Sequence, residues 1–289
     1  MTRSLGKTGW SVSVLGLGCG PLGDERIDEA EVARLLHGAV DLGVTVFDSA
    51  RSYGLSEERL GRHLGARRAH VILSTKVGYG IPGFADWTGP CVTAGIDAAL
   101  QRMQTDWVDV VHLHSCPLET LQHRDVVEAL GAAQRAGKVR AAAYAGDNEA
   151  LQWALESGRF GVVQCSVNVC DQRALESQLP LAAQRGVGVF AKRAAANSVW
   201  RSANAQPEYR ERLGRMGFLG SATDDELLDR ALRFTAFAPG VDCALVGTTR
   251  LAHLEQNVRS VTRGPLDPHV IEALRVSFRT HGAGWRAVT

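Results

Sequence analysis

Four side chains of this 289-residue sequence are of types that move protons, and their spacing brings them to one place. Val44-Thr45-Val46-Phe47-Asp48 reads as a short strand, and two-residue alternation puts Val44, Val46 and Asp48 on one face. The same rule groups Ile72, Ser74 and Lys76, and then Val110, His112 and His114. Tyr53 follows in the loop Ser49-Ala50-Arg51-Ser52-Tyr53-Gly54. If the three faces point to a common interior, a carboxylate, an ammonium, an imidazole and a phenol meet at one rim. A free phenol has a pKa of about 10, and a neighbouring ammonium lowers it by favouring phenolate. A carboxylate beyond that lysine would keep it charged and aimed. The product is a tunable proton donor, a role worth about 10²–10⁴ in rate. Taken singly, each residue has a plainer use as a cap, a packed ring or a snorkelling lysine. The set in matching registers is what points to chemistry.

Such a rim needs a scaffold, and the chain alternates in the way that supplies one. Short apolar runs at Val12–Cys19, Val44–Ser49, Val71–Val77, Val108–His114, Val139–Ala145, Val162–Val167, Val187–Ala191 and Ala244–Gly247 read as buried parallel strands. Helical stretches fill the gaps, near 56–64, 92–104, 122–136, 148–157, 174–185, 224–236 and 250–260, with a last one near 267–279. The clearest helix carries Val32, Leu35, Leu36, Ala39 and Val40 as one stripe, with an Asp28/Glu31 capping box before it and Gly43 after it. Eight strand–helix units predict an α/β fold, a (β/α)₈ TIM barrel whose chemistry lies at the C-terminal ends of the strands. Leu5–Trp10, around Gly-Lys-Thr-Gly, reads as an N-terminal β-hairpin closing the bottom. Segment 194–222 is long for a connection and reads as an active-site flap, and the helix near 267–279 is an extra C-terminal one. The whole of 1–289 is read as a single barrel domain, a length such barrels fill.

Gly18-Cys19-Gly20-Pro21-Leu22-Gly23 satisfies G-x-G-x-x-G after a strand, with Asp48 as a possible ribose acceptor. In a dinucleotide fold the helix would start within those glycines; here its cap is Asp28, so the run reads as the first loop at a barrel mouth. Composition sets outer bounds. Apolar residues are 45% and charged ones 22%, as in ordinary globular chains, and 32 basic against 31 acidic residues offer nothing to nucleic acid. No run of about 18 apolar residues suggests a membrane span. The N-terminus reaches Gly6 and Gly9 without a signal-like apolar core. Six scattered cysteines with no C-x-x-C pair suit reduced thiols, so a cytoplasmic location is expected.

In order and spacing the chain resembles the aldo-keto reductase superfamily over nearly its whole length. The stretches that carry the resemblance are Arg3-Ser4-Leu5-Gly6-Lys7-Thr8-Gly9 leading to Leu15-Gly16-Leu17-Gly18, Phe47-Asp48-Ser49-Ala50 with Tyr53-Gly54, Ser74-Thr75-Lys76, and Val108-Asp109 through His114. They continue in Gly137-Lys138-Val139-Arg140, Val163-Gln164 with Asn168, and Val246-Gly247-Thr248-Thr249 with His253-Leu254 and Asn257. The resemblance implies NAD(P)H-dependent interconversion of a carbonyl and an alcohol. It makes Tyr53 the general acid, Asp48 and Lys76 the groups that set its pKa, and His114 the donor to the carbonyl oxygen. His112, one layer deeper and outside the family's four catalytic positions, is read as core or as a support behind the site. Gln164 matches the residue that fixes the cofactor carboxamide. Gly247, Thr248, Thr249 and Arg250, with His253, Gln256 and Asn257, resemble an adenosine-phosphate site, which favours NADP(H) and leaves NAD(H) open. Gly18, Cys19 and Gly20 line the same cofactor side.

Three places depart from the family pattern. Ala145-Gly146 stands where Ser-Asn would hold the carboxamide, with Asp147 or Asn148 as possible compensation. Lys192-Arg193 stands where an aromatic often stacks, and two cations there would grip a pyrophosphate. Gly20 replaces a larger residue and should widen the pocket. Tyr79, Phe84, Trp87, Trp200 and Trp285 are candidate substrate walls. Two other readings stand beside the reductase: a nucleotide-binding, non-catalytic redox-sensing barrel, and a metal-dependent hydrolase built on His112-x-His114, which lacks further ligands and has Lys76 to repel a cation. No metal is expected; the partner expected is a small-molecule carbonyl or alcohol, and the oligomeric state is left open.

Overall fold

The computed structural model describes residues 1–201 and 206–288. Two short strands, β1 (Thr2–Ser4) and β2 (Ser11–Ser13), pair antiparallel with Arg3 opposite Val12. Eight parallel strands then close a barrel: β3 (Leu15–Gly18), β4 (Val46–Asp48), β5 (Ile72–Val77), β6 (Val108–His114), β7 (Val139–Ala145), β8 (Val162–Ser166), β9 (Gly188–Lys192) and β10 (Cys243–Gly247). The last pairs with the first, Ala244 opposite Leu15 and Gly247 opposite Gly18. This is the expected (β/α)₈ TIM barrel with its N-terminal hairpin and an additional C-terminal helix, Pro268–His281.

The run expected as one strand, Val12–Cys19, is two. Its first half pairs with β1, and the chain changes partner at Val14 because the Ser13 hydroxyl and Thr45 exchange hydrogen bonds there, with Thr45 N–H donating to Ser13 Oγ at 2.9 Å. Two helices expected to be continuous are also divided. The 122–136 stretch is Leu118–Gln122 and Arg124–Arg135, broken at an extended His123. The 174–185 stretch is a 3₁₀ turn, Arg173–Leu175, followed by Gln178–Arg185. Asp28 caps Glu29–Asp41 by accepting from the amides of Ala30 and Glu31, but Glu31 turns to Arg34, so half of the expected capping box forms. The complete box is Thr223 with Glu226, at the start of Asp224–Ala236. Segment 194–222 is helical in part, with a 3₁₀ stretch at Ala196–Arg201 and an α-helix at Pro207–Arg215; residues 202–205 of that expected flap lie outside the described residues.

Alternation along the strands divides the apolar side chains into two cores. Outward-facing residues such as Phe47, Leu73, Val111 and Val163 pack under the helices. Inward-facing Val46, Val110, Ala141, Ala143, Val162, Phe190, Cys243 and Leu245 fill the barrel together with Leu5 and Val12 of the hairpin segment. The hairpin therefore plugs the bottom, and Arg3 clamps it by donating to the carbonyls of Ala236 (2.6 Å) and Val241 (2.8 Å). Above this apolar plug the inward positions turn polar, at Asp48, Lys76, His112 and Gln164, all buried. No helix among the described residues is long and apolar enough to cross a membrane.

Candidate active site

Strand register brings the proton-handling residues together. Asp48 lies beside Ser74, and Lys76 beside His112, in adjacent ladders at the C-terminal end of the barrel. Lys76 Nζ donates to Asp48 Oδ2 at 2.7 Å and to the Ser49 carbonyl at 2.6 Å, while Ser74 Oγ donates to Asp48 Oδ1 at 2.7 Å. Burial is the largest influence on Asp48 and would push its pKa up; the Lys76 charge, His112 and the hydrogen bonds from Lys76 and Ser74 together outweigh it and hold the carboxyl below its usual range. Burial would likewise lower Lys76, and Asp48, then Tyr53, overcome that and raise it. Both groups are thus ionised. Lys76 Nζ stands 4.9 Å from the centre of the Tyr53 ring.

Tyr53 reaches the mouth from a loop that is wedged against the first one. The amide of Leu55 donates to the Gly23 carbonyl at 3.1 Å, and a Cβ on Gly23 would overlap the Tyr53 carbonyl. The glycines of the G-x-G-x-x-G run serve this close approach: Gly20–Gly23 is a 3₁₀ turn, and the next helix begins only at Glu29. Gly20 itself leaves open space beside the Tyr53 ring, where a Cβ would sit at 3.6 Å.

His114 presents its edge to Tyr53, ring centres 6.0 Å apart. Burial, followed by the Lys76 charge, pulls its pKa down to about 3, so the ring is neutral. Its Nδ1 lies 2.8 Å from the Tyr79 hydroxyl. His112 is fully buried, its Nε2 3.1 Å from Ser74 Oγ and its pKa pulled down to about 4 by burial. It is turned into the barrel toward Ser74.

A cavity of about 540 Å³ opens over these groups. Its walls include Gly18, Gly20, Gln164, Lys192, Arg193, Gly247, Thr248, His253 and Asn257 from the expected cofactor set. Of the same set, Cys19 points into the outer core, Gln256 faces a neighbouring groove, and Thr249 and Arg250 stand off the wall, Arg250 as N-cap of Leu251–Thr262. Two buried polar atoms on the wall, Gln164 Nε2 and Asn257 Oδ1, have no hydrogen-bond partner among the described residues.

The expected pair of free cations at 192–193 takes another form. Lys192 Nζ lies 2.8 Å from Asp147 Oδ2, and Asp147 Oδ1 accepts from the Ser166 amide at 2.7 Å. Asp147 thus compensates for Lys192 instead of replacing the missing Ser-Asn contacts. Asn148 is spent on the C-terminal tail, accepting from the Ala287 amide at 3.1 Å. Arg193 donates to the Val288 carbonyl and to Ser166 Oγ. The tail is strapped further by Asp171, whose Oδ2 accepts from the Val288 amide and the Tyr209 hydroxyl, each at 3.2 Å.

The expected substrate aromatics do not form the cavity wall. Trp285 packs on Phe278 and under Arg212, and Trp200 on Phe218. Phe84 is exposed, and Trp87 covers Gly78 and Tyr79. Tyr79 bears on His114 from behind. Asn197, Ser198 and Arg201 line the cavity instead, from a segment whose expected role as a flap pointed to this region. Asp147 and Lys192 were detectable as opposite charges at the ends of strands β7 and β9, but only strand stagger shows that they meet.

The family profile described as the aldo/keto reductase family matches residues 14–277. Among solved structures, the chain is similar to the holo form of an aldo-keto reductase from Bacillus halodurans, with TM-score 0.80, 25% identity, and 96% and 95% of the two chains covered. Among curated relatives, it is 28% identical over 282 residues to L-galactose dehydrogenase of Arabidopsis thaliana, covering 90% of this chain and 88% of that one. It is 34% identical over 153 residues to L-glyceraldehyde 3-phosphate reductase of Escherichia coli K12, covering 47% and 42%. Because the profile runs from Val14, just ahead of β3, to Ser277 in the last helix, the match takes in every strand of the barrel, and the chain belongs to the aldo/keto reductase family of oxidoreductases.

Proposed function

We propose that this chain is an NADP(H)-dependent oxidoreductase that interconverts an aldehyde or ketone and its alcohol, with Tyr53 as the general acid and base. The observation that carries the reading is the buried Asp48–Lys76 ion pair, 2.7 Å long, set beside Tyr53 and His114 at the floor of the cavity. In the reductive direction the Tyr53 hydroxyl gives its proton to the carbonyl oxygen. The Lys76 ammonium stabilises the phenolate left behind, and Asp48 keeps that ammonium charged. His114, being neutral, donates a hydrogen bond to the same oxygen and loses no proton. The bound nicotinamide would supply the hydride at the carbonyl carbon.

The lining fits such a cofactor. Gln164 Nε2 is a donor left free for a carboxamide oxygen, and Asn257 Oδ1 an acceptor left free for an adenine amino group. Thr248, Thr249 and Arg250 lead into a helix N-terminus, with His253 and Gln256 on its first turns, a setting that suits a 2′-phosphate. Lys192 and Arg193 would add donors and one net positive charge, since Asp147 balances the first while the second meets only a neutral backbone carbonyl and a hydroxyl. NAD(H) is the second choice of cofactor. Six buried free thiols suit a cytoplasmic enzyme acting as one barrel domain over 1–289, on a small-molecule substrate.

Fluorescence titration with NADPH, followed by turnover on a panel of carbonyls, tests this. Tyr53→Phe should bind NADPH as the wild type does and lose about 10²–10⁴ in rate. A wild-type protein that binds no nicotinamide cofactor overturns the reading. Tight NADPH binding with no hydride transfer in a single turnover would favour the redox-sensing barrel.

A further inference from the structure

We propose that Tyr79 is a positioning residue that fixes which nitrogen of His114 carries the proton. The proposal rests on the reading of His114 as donor to the carbonyl oxygen. The two rings are stacked, centres 5.5 Å apart and 25° from parallel, and the Tyr79 hydroxyl oxygen lies 2.8 Å from His114 Nδ1. The phenol is itself held. Trp87 packs on its ring at 5.6 Å and covers Gly78, whose carbonyl accepts from the Trp87 amide at 2.7 Å. Ser52 Oγ lies 3.2 Å from the phenol oxygen on its other side.

A neutral imidazole has one N–H, and the hydrogen bond made by one nitrogen decides which of the two carries it. Two arrangements satisfy the Tyr79 contact. In one, Nδ1–H donates to the phenol oxygen and the phenol donates to Ser52, leaving Nε2 bare. In the other, Ser52 donates to Tyr79, Tyr79 donates to Nδ1, and Nε2 carries the hydrogen. A phenol is a stronger acid than a neutral imidazole N–H, and an imidazole nitrogen is a stronger base than a phenol oxygen. The shorter of the two contacts is the one to nitrogen, at 2.8 Å against 3.2 Å. The hydrogen therefore runs from Tyr79 to Nδ1, and Nε2–H is left for the cavity that His114 lines.

The same arrangement strengthens the donor. As Nε2–H donates to an oxygen that gains negative charge, electron density accumulates on Nδ1, where the Tyr79 hydroxyl meets it. Without that hydroxyl, Nδ1 has no hydrogen-bond partner among the described residues to fix the tautomer, and oxyanion stabilisation falls even though His114 remains.

Long-range proton–nitrogen NMR of the full chain labelled with ¹⁵N-histidine reads this directly, with His114→Asn to assign the signals. His114 should show a protonated Nε2 and a bare, hydrogen-bonded Nδ1 from pH 5.5 to 8.5. In Tyr79→Phe, which keeps the stacked ring, the Nδ1 resonance should move downfield to the value of an unbonded nitrogen. On any carbonyl the enzyme turns over, kcat should drop roughly 5- to 20-fold with cofactor affinity unchanged. A proton on Nδ1 in the wild type overturns the proposal. So does an Nδ1 signal that Tyr79→Phe leaves in place, whatever happens to kcat, because a merely structural role would lower activity without that shift. The spectrum needs no turnover. If it comes out as expected while no carbonyl is reduced, the functional reading fails and the assignment of the proton stands.

Discussion

Asp171 is buried among Tyr209, the Val288 amide and Arg212, and burial, then the charge of Asp147, pushes its pKa up to about 7 from 3.8. Between those values the folded protein holds a proton that the unfolded chain has released, so this residue makes stability fall as pH rises. His112 and His114 act the other way. Their folded pKa values of about 4 and about 3 lie below the 6.5 of the free ring, so they make stability rise up to about pH 6.5. The wild-type curve mixes the two slopes, and Asp171→Asn separates them. Relative to wild type, the variant should gain stability steadily from pH 4 to pH 7 and no further above it, as read from urea midpoints at each pH. A difference independent of pH would mean that Asp171 is ionised in the fold. At this scale the sequence showed the side chains that share a strand face with an obvious neighbour, Asp48, Lys76 and His114. It did not show partners that meet through stagger or loop folding, such as Asp147 with Lys192 or Tyr79 with His114, since no spacing rule relates them.

The turn at Gly20–Gly23 and the loop bearing Tyr53 act as one element, since the backbone of each leaves the other no room for a Cβ at Gly23 or Gly54. Gly23→Ala must push the Tyr53 carbonyl away. We expect it to cost about 1–3 kcal/mol of stability, the range for overpacking, and to lower kcat by more than it alters cofactor affinity. Denaturant titration and steady-state kinetics together check this; an alanine accepted with unchanged activity would show that the two loops move independently. Element types and order were legible because each strand is a short apolar run and each helix a longer stretch of helical period. Breaks were not. His123 interrupts 118–135 through its extended backbone, and the half-formed cap at Asp28 depends on Glu31 choosing Arg34. Both are choices between local partners that a pattern of residue types leaves equal.

For the molecule as a whole, the separation of two cores has a measurable effect. Leu5 and Val12 belong to the inner core, at the end of the barrel opposite the cavity. Leu5→Ala should cost about 2–5 kcal/mol, read from denaturant midpoints, while kcat and cofactor affinity of the folded fraction stay at wild-type values. Loss of activity in step with no loss of stability would mean that the plug and the mouth are mechanically linked. The barrel itself was foreseeable from the count of alternating units, and the hairpin from its Gly-Lys-Thr-Gly turn. The switch of Val12–Cys19 from hairpin to barrel was hidden, because both halves are equally apolar. The plug also sets a timetable for synthesis. Arg3 needs the carbonyls of Ala236 and Val241, and β3 needs β10. The hairpin pairs with itself through β1 and β2, but its anchor at Val241 is made only 238 residues after Arg3. The barrel is closed by its first strand and its last together, so its ring of hydrogen bonds cannot be completed until β10 has been made.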